Sequence, residues 1–325
     1  MAAAHPTALQ TYSRTAARSA RLVLGEYSTS FSLACRMLDA ASAAHIANIY
    51  ALVRLADEVV DGVASQAGLN PQAVGDCLDE LQQQTALALQ RGYSTNLVVH
   101  AFALTARETR ITTELTDPFF ASMRADLSVH RHSEQSLREY IYGSAEVVGL
   151  MCLQVFRTMP GAPTESAAQA QLVERAARSL GAAFQKVNFL RDVATDSGQL
   201  DRVYFPGTDL EHFTEEHKRN LVQDIEADLA HARAGMPYLA PAAARAVRMA
   251  HDLFARLNRQ LDKAPADQLL TRRISVSAPR KALIAARVLA TSHRRRVPGL
   301  DPDPGQAMHG PDAARLPLNG GPHAA

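Results

Sequence analysis

Two segments carry carboxylates at a spacing that could serve chemistry. The first is Tyr50-Ala-Leu-Val-Arg54-Leu-Ala-Asp57-Glu58-Val-Val-Asp61-Gly62. On a helix Asp57 and Asp61 lie one above the other on the same face, with Arg54 a turn before Asp57. Carboxylates stacked in this way repel by about 0.2–0.5 kcal/mol, and the flanking Leu55, Ala56, Val59 and Val60 point to burial, so a cation is the natural remedy. Magnesium is commonly held by carboxylates shared with phosphate oxygens and keeps several waters. The plainer alternative is a solvated face on which Glu58 pairs with Arg54. The second segment, Gln185-Lys-Val-Asn188-Phe-Leu-Arg191-Asp192-Val-Ala-Thr-Asp196, repeats the spacing. One face there carries Gln185, Asn188, Asp192 and Asp196 in order, while Phe184, Val187, Leu190 and Val193 form the apolar remainder. Two such faces, each beside an arginine, read as opposed clusters that clamp a diphosphate through several Mg2+ ions, with Mn2+ as the substitute.

Those faces need helices to carry them, and the composition supplies helices. The chain has 325 residues, 47% hydrophobic and 6% aromatic, with 34 Lys+Arg against 33 Asp+Glu and a net charge of +1. That size buries a sizeable core. The balanced charge excludes a dedicated nucleic-acid binder, which needs a clear excess of Lys and Arg. Cys35, Cys77 and Cys152 are far apart and lack C-x-x-C spacing, which argues against a disulfide framework or zinc ribbon and suits a reducing cytosol. MAAAHPTALQ has no basic-then-apolar pattern of a secretory signal, and no apolar run is long enough to span a bilayer.

Pro and Gly mark the organisation. Val297 to Ala325 holds six Pro and five Gly in 29 residues, against ten and twelve in the preceding 296. The expected division is an N-terminal segment 1–20, partly ordered, a main domain 21–296, and a disordered tail 297–325. Long Pro-free stretches rich in Ala, Leu, Arg and Gln predict an all-α chain, about ten helices in one large bundle. Breaks are predicted near Asp39, Gly68 to Pro71, Arg91-Gly92, Asp117-Pro118, Met159 to Gly161 and Pro206-Gly207. The run Val147-Val-Gly-Leu-Met-Cys-Leu153 is apolar on more than one face, as in a buried helix or a cavity wall.

The chain resembles the squalene and phytoene synthase family, the head-to-head prenyltransferases, from about Ser28 to Leu289. Ser28 to Ala34 is similar to that family's N-terminal flap, Tyr50 to Gly62 to its first aspartate motif, and Met123 to Leu127 and Tyr140 to Met151 to its central cavity helices. Leu180 to Asp196, followed by Arg202-Val-Tyr204-Phe-Pro206, is similar to its most diagnostic stretch. The resemblance implies a bundle of the isoprenoid synthase type with a central apolar cavity. In it Asp57, Asp61, Asn188, Asp192 and Asp196 would serve the metal, and Ser28, Ser30, Phe31, Tyr50, Gln185 and Arg273 would bind substrate. Glu58 stands where the family often has a second aspartate, Asp201 where it usually has Gly, and Ser144 and Glu146 where Val and Gly are commoner. Glu146 is the oddest, because an unpaired carboxylate in an apolar tunnel is costly. Phe254 falls where relatives tend to place a cavity Tyr.

The implied reaction joins two allylic prenyl diphosphates through a cyclopropyl diphosphate to a linear hydrocarbon. Arg54, Arg191 and Arg273 would stabilise the departing diphosphate. Phe31, Tyr50, Tyr140, Val148 and Leu190 would bound a cavity that excludes water. Arg54 and Arg191 also read as partners of Glu58 and Asp196, and Tyr140 equally as a packed core tyrosine or as a catalytic one. His130-Arg131-His132 lacks the spacing of a zinc site. The run His293-Arg294-Arg295-Arg296 reads as a solvated helix end or as a peripheral contact with the inner face of a membrane. Other isoprenoid enzymes are the remaining expected partners. Without a Rossmann fingerprint the balance favours a product made without hydride, phytoene from geranylgeranyl diphosphate. The alternatives are squalene or dehydrosqualene from farnesyl diphosphate, a terpene cyclase, and a helical scaffold that has lost catalysis. Asp57→Ala or Asp192→Ala is expected to abolish turnover with helix content near wild type; full activity in both variants, assayed beside circular dichroism, would remove these residues from the site.

Overall fold

In the computed structural model the described residues are 5–129, 131–199, 213–271 and 273–292, with side chains described except at 194–199 and 291–292. All of them belong to one unit, and among them there is no strand. The tail 297–325, the Arg202 to Pro206 stretch, His130 and the expected break at Pro206-Gly207 lie outside the described residues.

Helix boundaries follow local chemistry. Helix α1 (Ala8–Tyr27) begins with a reciprocal Thr7/Gln10 capping box and runs straight through residue 20, so the expected boundary between 1–20 and 21–296 falls inside one helix. Ser28 ends α1 and, through its hydroxyl, caps the N-terminus of the short α2 (Thr29–Cys35). Asp39 accepts from the backbone N–H groups of Ala41 and Ser42 to start α3 (Ala40–Val60), which stops where Gly62 adopts φ +104°. After α4 (Val63–Gln66), Asn70 and Pro71 open α5 (Pro71–Arg91), and Gly92 at φ +74° closes it. Asn96 caps α6 (Leu97–Thr109).

The expected break at Asp117-Pro118 is absent, because the chain turns earlier, at Arg110, which takes φ +60°. Helix α7 (Thr113–Ala125) then runs through Pro118. The close approach of Gly143 to the Pro118 carbonyl shows how tightly that turn is packed. Helix α8 (Glu134–Ile141) passes through a π-helical turn, Tyr142–Glu146, into α9 (Val147–Thr158). Helix α10 (Ala167–Gln199) is the longest described, and α11 (Glu215–Gly235), α12 (Pro241–Lys263), α13 (Ala266–Leu269) and α14 (Ala278–Ser292) complete the bundle. The excess over the expected ten comes chiefly from short pieces such as α2, α4 and α13, too brief to show a period in sequence.

Two cores flank a central cavity. Ile49, Leu52, Phe102, Phe119, Phe120 and Met151 join α3, α6, α7 and α9. Val187, Leu190, Ile225, Leu257 and Leu261 join α10 to α11 and α12. Leu190 therefore packs away from the cavity it was expected to line: it lies about 200° around α10 from Asn188. The α9 run does both things expected of it, burying Val147, Met151 and Val155 while Val148, Gly149 and Cys152 line the cavity.

Helix α10 meets α9 and the π-turn without side chains between the backbones. A Cβ on Gly149 would lie 2.4 Å from the Ala177 carbonyl oxygen, and one on Gly181 would lie 2.4 Å from that of Ala145. These contacts set the separation of the helices that form the cavity wall. Gly181→Ala is expected to destabilise the fold by about 1–3 kcal/mol through overpacking. Gly75→Ala, in the second turn of α5 with open space around it, is expected to stabilise it by about 0.5–1 kcal/mol. Urea midpoints of the two variants check the contrast.

Candidate active site

The cavity, about 660 Å³, is lined by residues of α2, α3, α9, α10 and α12 and by the ends of α1, α7, α8 and α11. Apart from Leu190, which packs into the core, and Asp196, which lies outside the described side chains, every side chain expected at the site lines it. Ser28, Ser30, Phe31, Tyr50, Arg54, Asp57, Asp61, Tyr140, Gln185, Asn188, Arg191, Asp192 and Arg273 are thus brought together from five parts of the sequence.

The α3 face supplies the charge problem. Asp61 is the C-cap of α3, and its N–H donates to the Asp57 carbonyl oxygen at 2.8 Å, so the one-turn stacking of the pair persists to the last turn. Both carboxylates sit at the negative end of the helix dipole, where an anion is disfavoured. Asp126, the C-cap of α7, adds a third carboxylate to the same cavity. Desolvation first, then the like charges of Asp61 and Asp126, push the Asp57 carboxyl up to about 8 against the partial relief from Arg54. An acid so strongly disfavoured as an anion, among hard oxygen donors, suits a divalent cation. Among the described residues no three carboxylates, imidazoles or thiols form a cage for an ion.

Asp126 was not singled out as a site residue, since one acid at a helix end reads as a cap. The structure gives it a partner: the Tyr140 hydroxyl donates to its Oδ2 at 2.8 Å. Tyr140 is buried, its ring between His132 and Phe189.

The arginines occupy the same mouth. Arg54 pairs with Glu58, as the plainer reading held, and lies over the Tyr27 ring at 4.5 Å, yet its buried Nε has no partner. A guanidinium N–H orphaned beside carboxylates is a donor available to an anionic ligand. Arg191 grips Asp192, with Nε 3.0 Å from Oδ1, and Arg273 reaches the same oxygen at 2.8 Å from its exposed position. Asp192 thus holds two cations at the cavity mouth.

Deeper in, the wall turns aromatic and then small. Phe31 of α2 lies 6.0 Å from Tyr50, 5.8 Å from Phe184 and 6.0 Å from Phe254, and Phe184 stacks on Phe254 at 3.8 Å. Beyond them lie Ala176, Ala177, Ala232, Gly235, Ala246 and Ala250. Glu146 loses its oddity here, because its Oε2 accepts from Arg178 Nε at 2.6 Å on the outer side of α10. Ser144, by contrast, places an unpartnered buried hydroxyl at the cavity wall. Lys186 ties α10 to α11 through Asp224 and Asp228, at 2.5 and 2.8 Å, which fixes the rotation that turns Gln185, Asn188 and Asp192 inward. Cys35, Cys77 and Cys152 are free thiols, and burial raises Cys35 to about 11 and Cys152 to about 12.

A family model described as squalene/phytoene synthase matches residues 24–280. The chain belongs to the squalene/phytoene synthase family. Members of this family are prenyltransferases that act on prenyl diphosphates. The 15-cis-phytoene synthase of Pantoea ananas is 27% identical over 83% of this chain and 90% of its own length. Phytoene synthase 1 of Arabidopsis thaliana is 31% identical over 189 residues, 58% of this chain but only 42% of that longer protein. The match thus spans less than half of that plant relative. A dehydrosqualene synthase structure superposes with a TM-score of 0.69 at 22% identity, covering 86% of this chain and 97% of the other. A squalene synthase from Alicyclobacillus acidocaldarius gives 0.64 at 20%, covering 78% and 97%. At such identities the likeness establishes the fold, an isoprenoid synthase-type bundle.

The raised Asp57 carboxyl has a measurable consequence. Between the unfolded value near 3.8 and the folded value of about 8, the folded protein binds a proton that the unfolded chain does not, so stability falls as pH rises through that window. In chelator-treated protein, Asp57→Asn is expected to flatten this fall and raise the melting temperature at pH 8 and above; parallel slopes for both proteins would contradict it.

Proposed function

We propose that this chain condenses two prenyl diphosphates head to head, and that they are geranylgeranyl diphosphates joined to phytoene. The observation that carries the reading is one cavity with carboxylates and guanidinium groups at its mouth, aromatic rings below them and small apolar residues beyond. The order matches an amphiphile with a diphosphate head, a reacting allylic carbon and a long hydrocarbon tail.

Mg2+ held by Asp57, Asp61, Asn188, Asp192 and Asp196 would supply electrophilic stabilisation of the departing diphosphate. Arg54 would give its orphaned Nε to a phosphate oxygen, while Arg191 and Arg273 would turn from Asp192 to the same anion. Ser28, Ser30 and Gln185 would add neutral donors around it. As the carbon–oxygen bond breaks, the cation would face Phe31, Tyr50, Phe184 and Phe254, whose ring faces are worth about 0.5–2 kcal/mol each to a desolvated cation. Tyr140 would hold Asp126 in place through its hydrogen bond. The apolar wall would keep water from the cation until the second ionisation and rearrangement are complete.

Two features support the longer substrate. The cavity face of α10 runs from Val173 to Asp192, about 28 Å at the helical rise of 1.5 Å per residue. Along its far half Ala176, Ala177, Ala232, Gly235, Ala246 and Ala250 leave room between the larger Phe156, Met236 and Leu239. The matched relatives that are named phytoene synthases point the same way. A farnesyl substrate and a squalene-type product form the second reading, since the structural neighbours carry those names.

Purified protein incubated with Mg2+ and geranylgeranyl diphosphate, without NADPH, is expected to yield a C40 hydrocarbon identified by mass. Turnover of farnesyl diphosphate alone would move the assignment to the C30 product. Failure with both substrates, in folded protein with Mg2+ present, would overturn the enzymatic reading.

A further inference from the structure

Helix α14 has an unusual outer face. Its inner side, Ile284, Ala285 and Val288, packs on Leu33, Ala34 and Met37 near α2 and on Met249, Ala250 and Leu253 of α12. The outward side should be polar in a helix surrounded by water. Instead, the exposed residues from Ala278 to Ala290 are Ala278, Pro279, Arg280, Ala282, Leu283, Ala286, Arg287, Leu289 and Ala290, seven apolar residues and two arginines. Leu283 is 53% exposed and Leu289 49%. At 100° per residue, Ala282, Leu283, Ala286 and Ala290 form the outermost stripe, with Arg280 and Arg287 along one edge.

Charge selects the occupant. From Gln268 to Leu300 the sequence has eight Lys or Arg and no Asp or Glu, in a chain whose totals are 34 Lys+Arg and 33 Asp+Glu. An apolar stripe whose described edge carries arginines fits the boundary between anionic headgroups and acyl chains. Among the described residues no helix is long and apolar enough to cross a membrane, so the contact is one of lying on a surface. We propose that the outer face of α14 docks this protein on an anionic lipid bilayer, with Leu283 in the interfacial layer and Arg280 among the headgroups.

The position of α14 gives the docking a use. The helix lies directly over α2 and α12, which wall the cavity with Phe31, Ala34, Ala250 and Phe254. Lys281 donates to the Thr29 hydroxyl at 2.6 Å, tying α14 to the first residue of α2. A bilayer against α14 is therefore one helix away from the cavity wall, a short path for an apolar product. The docking is independent of the prenyl-transfer reading, and only this use rests on it.

Co-sedimentation of the full-length protein with vesicles tests the proposal without any turnover. Wild type is expected to partition onto vesicles of one part phosphatidylglycerol to three of phosphatidylcholine, and to be released by high salt. Arg280→Glu and Leu283→Asp are each expected to lower the partition coefficient at least about tenfold, with unchanged melting temperature and unchanged activity in detergent. Leu283→Ser, which adds no charge, separates loss of apolar contact from charge repulsion and should weaken binding less. Absence of binding to anionic vesicles, or binding that neither Arg280→Glu nor Leu283→Asp alters, overturns the proposal. A concentration-dependent dimer lost in Leu283→Asp would assign the face to a second copy of the chain instead.

Discussion

Carboxylates gathered at the C-terminal ends of helices, beside a cavity that is otherwise apolar, cannot all be ionised unless positive charge is brought to them. Asp57 and Asp61 close α3 and Asp126 closes α7, so each faces the negative end of its own helix as well as the other carboxylates. The upward shift of Asp57 is the expression of that conflict. A protein evolving only for stability would place amides or arginines there. On the proposed function, the arrangement would be stabilised by a ligand that arrives with its own cations and takes up the remaining coordination positions.

The arginines form the other half of the same constraint. Arg191 and Arg273 are both engaged with Asp192, and Arg54 with Glu58, so the guanidinium groups are held in place by acids while keeping their reach toward the mouth. On the proposed function, each is an ion pair that an incoming diphosphate would exchange for a stronger, bidentate partner. The aromatic group formed by Phe31, Tyr50, Phe184 and Phe254 lies where the cavity lining passes from charged to apolar side chains. Glu146, a polar group near the apolar wall, is paired with Arg178 on the outer side of α10. The Ser144 hydroxyl remains as the polar point on that wall.

Packing keeps these parts in register. The Gly149 and Gly181 contacts bring the α9 and α10 backbones together, and a helix that close cannot slide without a clash. Lys186, on the far side of α10, holds its rotation through two carboxylates of α11. Amides and acids three and four residues apart on α10 therefore meet the cavity as one stripe, while Val187 and Leu190 enter the core behind it.

Much of this was written in local spacing. The four-residue interval of Asp57 and Asp61, the Gln185, Asn188, Asp192 series and the absence of Pro across both segments fixed helices and faces, because side chains a turn apart must share a side. Caps at Asp39, Asn70 and Gly92 were equally legible, since each satisfies backbone groups within a turn of itself. Partners distant in sequence were not. Leu190 turned into the core, α7 continued through Pro118, Asp126 joined the site through Tyr140, and Arg178 neutralised Glu146, all by contacts between helices that no local pattern encodes. Sequence alone determined which residues could do chemistry and on which helical face each lies, since that depends on backbone geometry over a few residues. Only the tertiary structure decided which faces look at one another, because that is set by how whole helices pack.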